Sequence, residues 1–89
     1  MNGYVVIKYG RDLNSYFACT NWQKAKEKFI ETIRQFGTVT GDPEVLAIDE
    51  EDMEELADCG IYCHNCTVIA EISPCTINLT TGDKYRVEP

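Results

Sequence analysis

The sequence predicts an α+β domain: an antiparallel sheet with two helices in the order β-β-α-(β)-α-β-β-β, stapled by a zinc site. Three observations lead there. Runs of β-branched and aromatic residues lie towards both ends of the chain, two stretches between them carry apolar residues at steps of three and four, and four cysteines fall between Cys59 and Cys75. At 89 residues the chain buries one modest core, so residues 1–89 are read as a single domain. A core of that size is marginal, and a metal staple is physically useful to it.

Tyr4 to Tyr9 and Ser15 to Cys19 are the first two strands, joined by turn residues from Gly10 to Asn14 into a hairpin. Tyr4, Val6 and Lys8 point to one face, and Val5, Ile7 and Tyr9 to the other. A helix follows, capped by Thr20 or Asn21. Trp22, Ala25, Phe29, Ile33 and Phe36 form its apolar stripe, which is read as core, and Gly37 is placed at its end. Glu44 to Ile48 is short and apolar, either a strand or the lead-in to the next helix. The second helix has Asp49 as N-cap, Asp52 at the third helical position and Gly60 as its stop, with Met53, Leu56 and Ala57 facing the core. Thr67 to Ile72 alternates as a strand that Ser73-Pro74 breaks. Thr76 to Thr80 and Lys84 to Val87 then read as a hairpin around Thr81-Gly82-Asp83.

The net charge of −7 is unevenly placed. From Met1 to Arg34 six basic residues face three acidic ones, whereas Gln35 to Asp58 holds nine acids and no base. A field of that sign repels nucleic acid and anionic membrane and attracts basic surfaces, including those that hold nucleic acid. No apolar run approaches the roughly 20 residues a membrane helix needs, and the start of the chain does not resemble a signal peptide. The expected home is the reducing cytoplasm, where closely spaced cysteines read as metal ligands and not as a disulfide framework.

Cys59, Cys63 and Cys66 are spaced C-x₃-C-x₂-C, and Cys75 lies nine residues further on. Four soft ligands complete a closed tetrahedral structural Zn²⁺ site, with Cys75 as the simplest fourth ligand and His64 as the alternative. Ordinary buried thiols are the competing reading. A thioredoxin-like site wants its C-x-x-C at a helix start, a haem attachment wants C-x-x-C-H, and a zinc deaminase wants an upstream H-x-E or C-x-E. None of these is present, and with one histidine and no Gly-rich phosphate loop the chain shows no catalytic constellation, so an enzyme is not expected.

Ahead of the cysteines, Asp49, Glu50, Glu51, Asp52, Glu54, Glu55 and Asp58 put seven carboxylates into ten residues. The early ones meet the positive end of the helix dipole. Glu50/Glu54, Glu51/Glu55 and Glu54/Asp58 are like-charge pairs one turn apart, each costing about 0.2 to 0.5 kcal/mol in an isolated helix. Two readings follow: a solvated face, neutralised in part by Lys24, Lys28 and Arg34, or a protein-binding face in which Glu50, Glu51, Asp52, Glu54, Glu55 and Asp58 stand in for nucleic-acid phosphates on a basic partner. Calcium and direct nucleic-acid binding fit less well, for want of an ion-wrapping loop and because of the sign of the charge.

A small acidic α+β chain with the Asp49 to Asp58 run, the Cys59/Cys63/Cys66/Cys75 set and no catalytic machinery resembles the small phage-encoded inhibitors of bacterial defence. Among these it looks most like the anti-CRISPR proteins that act on type II RNA-guided nucleases, one of which bears zinc. That resemblance implies an inhibitor that binds the nuclease and stops target DNA from loading onto its positively charged channels. A zinc-stapled acidic adaptor or regulatory protein with another protein partner is the alternative.

Overall fold

The structure, a computed structural model, describes residues 2–76 and the backbone of 86–88. Four strands, β1 (Asn2–Lys8), β2 (Ser15–Cys19), β3 (Ile61–His64) and β4 (Thr67–Thr76), form an antiparallel sheet, and β5 (Arg86–Glu88) adds a parallel edge on β2. The strand order is β3-β4-β1-β2-β5. Three helices, α1 (Trp22–Thr40), α2 (Pro43–Leu46) and α3 (Glu50–Cys59), lie on one side of that sheet.

The alternation of β1 decides which side the helices cover. Val6 is buried, Tyr4 meets the Trp22 ring edge-on at 5.2 Å, and the Lys8 ammonium donates to Gln35 Oε1 of α1 at 3.1 Å. On β2, Cys19 is buried on the same side and Phe17 lies beneath the Lys28 ammonium at 5.3 Å. From α1, Ala25, Phe29 and Ile33 fill the space against them, each with no exposed surface. The apolar stripe of the sequence is therefore the core.

Four expectations change. Glu44–Ile48 forms no strand: Asp42 caps a short helix by accepting from the amides of Glu44 (2.9 Å) and Val45 (3.3 Å), and Pro43 takes the first helical position, where its missing N–H costs nothing. Among the described residues the helices thus number three, not two. Secondly, α1 runs past Gly37 to Thr40, and Gly41, at φ 68°, is the left-handed cap whose N–H donates to Gly37 O at 2.8 Å. Gly37 is a packing glycine, because a Cβ there would lie 2.9 Å from Val45 Cγ1. It lets α2 close on α1.

Thirdly, Ser73-Pro74 does not break β4. The Ile72 N–H points away from β1 to Gly60 O at 2.7 Å, so the ring nitrogen of Pro74, two residues on, points the same way. Pairing with β3 has already ended there, at Ile61 opposite Glu71, so no ladder bond is lost. Lastly, Ile61–His64, assigned to no strand from the sequence, is the edge strand β3. Its register with β4 slips between Tyr62/Ala70 and Cys63/Val68, and the extra residue, Ile69, turns inward so that Ile69 and Ala70 are both buried. The hairpin expected around Thr81-Gly82-Asp83 lies outside the described residues except at its ends: Thr76 closes β4, and Arg86–Glu88 pairs with β2.

Candidate protein-binding face

The acidic run folds as α3. Asp49 Oδ1 accepts the Asp52 N–H at 2.8 Å, which closes the first turn, and Gly60, at φ 82°, caps the other end by donating to Leu56 O at 2.9 Å. Met53 and Ala57 are fully buried and Leu56 and Ile48 pack beside them, which fixes the rotation of the helix about its axis. Every carboxylate then has a defined direction.

The structure divides the seven carboxylates into three groups. Asp49 is used by the cap. Glu50 and Glu54 turn towards α1, where Glu50 pairs with the Arg34 guanidinium and Glu54 with the Lys26 ammonium at 3.2 Å. These cations differ in part from those expected: Arg34 is used, Lys26 replaces Lys24, and Lys28 pairs with Glu31 at 3.4 Å along its own helix. Surface pairs of this kind contribute about 0.2 to 1 kcal/mol each, enough to offset the Glu50/Glu54 repulsion and to hold α3 in place. A cleft of about 580 Å³ runs between the helices at this seam, with Ile30 in its lining and Lys26, Arg34, Glu50 and Glu54 around it.

Glu51, Asp52, Glu55 and Asp58 remain, all exposed and none in an ion pair among the described residues. At 100° per residue Glu51, Glu55 and Asp58 fall within about 60° of one another, directly opposite Met53 and Ala57, and span roughly 10 Å along the axis. Asp52 flanks them. Glu51 and Asp52 gain from the positive end of the dipole, but Asp58 sits in the last turn, where no basic residue is present and a negative charge is disfavoured. The outward face of α3 is a stripe of carboxylates that no cation among the described residues neutralises.

The cysteines do not gather as the sequence spacing suggests. Cys59 ends α3, Cys63 is on β3 and Cys66 is in the β3–β4 turn, all three exposed. Cys75 lies near the far end of β4, paired with Gly3. Cys63 is opposite Val68, and the seven residues of strand from there to Cys75 separate the two by roughly 20 Å. Zinc–sulfur bonds of about 2.3 Å require sulfurs within about 4 Å of one another. A continuous strand carries Cys75 away from Cys63 and Cys66, and among the described residues no group of three or more Cys, His, Asp or Glu converges as a metal site. The four residues do not fit a shared zinc ion. Burial pushes the Cys75 thiol up, and neighbouring Cys19 adds to it.

His64, the alternative ligand, has another role. Its Nε2 is 3.0 Å from Asp42 Oδ2 and its ring stands edge-on to Phe36 at 5.5 Å, tying the edge strand to the α1–α2 corner. Desolvation works against the Asp42 carboxylate, but the amides of Val45 and Glu44, and then His64, outweigh it and hold the group below the usual carboxylate range. Neighbouring Tyr62 is pushed up, first by burial and then by Asp42 and Glu44. A lone histidine and an aspartate twenty-two residues earlier give no sequence signal for this contact.

No protein-family model, curated protein or solved structure matches this chain. No helix among the described residues is long and apolar enough to cross a membrane.

Proposed function

We propose that this chain is a non-catalytic inhibitor that uses the outward face of α3 to occupy a basic, nucleic-acid-binding surface of another protein. The observation that carries the reading is the split within the acidic run. Glu50 and Glu54 serve the fold, whereas Glu51, Asp52, Glu55 and Asp58 pair with no cation among the described residues. Concentrated like charge on a short helix is unfavourable in the free protein and becomes favourable when a complementary surface covers it. Such a face also speeds encounter with a positive partner, in a salt-dependent way.

The partner we propose is a type II RNA-guided nuclease in the cytoplasm, in line with the resemblance drawn from size, the Asp49 to Asp58 run and the Cys59/Cys63/Cys66/Cys75 set, of which the acidic run is the part that the proposal uses. Its guide and target are held in positively charged channels through backbone contacts, and carboxylates at helical spacing can compete for the lysines and arginines there. The zinc-stapled adaptor draws no support from the cysteine positions. The test is a titration of purified protein into guide-loaded nuclease, with target DNA binding followed by fluorescence anisotropy. The reading requires concentration-dependent loss of DNA binding that weakens as salt rises. Unimpaired DNA binding across several type II nucleases would overturn the choice of partner.

A further inference from the structure

The cysteines that do not meet on a metal are left with a chemistry of their own. Cys59, Cys63 and Cys66 lie within eight residues along one edge of the domain, where α3 passes into β3 and β3 into its turn, and all three are exposed thiols. Cys66 stands at the tip of the turn, where it and Asn65 both adopt positive φ, 63° and 50°. Cys63 is on the edge strand, with no strand beyond it among the described residues. Cys59 follows Asp58 on the last turn of α3. The other two cysteines are placed differently: Cys19 has no exposed surface and its Sγ lies 3.4 Å from Asn21 O, and Cys75 is half-buried.

We infer that this edge is a site of reversible S-thiolation by small disulfides, with Cys59, Cys63 and Cys66 as three open thiols in place of one closed metal centre. The thiolate of one of these cysteines attacks a sulfur of a low-molecular-weight disulfide such as glutathione disulfide. A new S–S bond forms as the old one breaks, and the departing glutathione thiolate takes the electron pair and the proton that the cysteine gave up. Where the adduct forms at Cys63 or Cys66, the other thiol, three residues away, is available to displace glutathione a second time. Reducing agent reverses either product. Access sets the order of reaction, so Cys59, Cys63 and Cys66 react at least about tenfold faster than Cys19.

The experiment is a time course of native protein with glutathione disulfide, read by intact mass and peptide mapping. It is run with and without EDTA, and on wild type and Cys75→Ser. The expected result is dithiothreitol-reversible modification at Cys59, Cys63 and Cys66, with Cys19 unmodified until the protein is denatured. The rate is the same with EDTA and in Cys75→Ser. A native protein that resists modification until chelator is added, or until Cys75 is replaced, would overturn the inference, because that pattern identifies a shared metal. Modification of Cys19 as fast as the edge cysteines would overturn it too. If Cys75→Ser does not fold, the chelator arm on wild type still decides. Because the readout needs no partner, its failure is distinct from failure of the inhibitor reading.

Discussion

Neutralising the two halves of the acidic run should move stability in opposite directions. In Glu51→Gln/Glu55→Gln/Asp58→Asn the helix loses the repulsions Glu51/Glu55, Glu54/Asp58 and Glu55/Asp58, each about 0.2 to 0.5 kcal/mol. The dipole contributions roughly cancel, since Glu51 sits at the favourable end and Asp58 at the unfavourable one. The triple variant is therefore expected to be about 0.6 to 1.5 kcal/mol more stable than the parent. In Glu50→Gln/Glu54→Gln the Arg34 and Lys26 pairs are lost at about 0.2 to 1 kcal/mol each, and Glu50 gives up its place at the positive end of the dipole. Relief of the Glu50/Glu54 and Glu54/Asp58 repulsions returns only part of this, so the double variant is expected to be about 0.5 to 1.5 kcal/mol less stable. Urea denaturation with a common m-value measures both, and in 1 M salt, where the screening length is about 3 Å, the two should converge on the parent. Equal shifts, or a stripe variant less stable than the pair variant, would refute the division of the helix into a fold-serving side and a contact side.

Three further outcomes follow from particular contacts. Gly37→Ala should destabilise by about 1 to 2 kcal/mol despite alanine's better helix propensity, because its Cβ meets Val45 at 2.9 Å; a higher melting temperature would contradict the α1–α2 packing. Gly41→Ala meets nothing within 4 Å but carries φ 68°, so it should cost about 1 kcal/mol through backbone strain alone, read by the same melt. The Asp42 carboxyl is held low in the folded state, so its contribution is complete above the ordinary carboxylate range and is lost as pH falls through the lowered folded value, below about pH 4. Stability measured from pH 7 to pH 2 should therefore fall less steeply at the acid end in Asp42→Asn than in wild type, and identical slopes would argue against the charged contacts of Asp42.

The sheet and the two longer helices were legible because burial imposes periodicity. Tyr4, Val6 and Phe17 alternate as their strands require, and Ala25, Phe29 and Ile33 recur at helical spacing. The end of α1 was not, because Thr38, Val39 and Thr40 have weak helix propensity and Gly37 resembles a stop. In the fold the hydroxyls of Thr38 and Thr40 bond back to the carbonyls of Arg34 (3.0 Å) and Phe36 (2.8 Å), and α2 covers Gly37. Pro74 misled for a related reason: whether proline breaks a strand depends on which edge its nitrogen faces, and that is a property of the assembled sheet. The acidic run was visible as composition, but its division into paired and outward carboxylates needed the rotation that Met53 and Ala57 impose. Cysteine spacing carried no information on the direction β4 takes between Cys66 and Cys75.

The central claim is that the outward stripe of α3, and not the net charge of the chain, engages a basic partner. The most direct measurement compares the wild-type protein, the stripe variant and the pair variant as inhibitors of target DNA binding by one guide-loaded type II nuclease at fixed salt. The account predicts that Glu51→Gln/Glu55→Gln/Asp58→Asn loses at least about tenfold in potency while staying folded, and that Glu50→Gln/Glu54→Gln, which removes two charges against three, loses far less than two-thirds of that effect on a logarithmic scale. Equal loss in both variants, or full potency in the stripe variant, would contradict it.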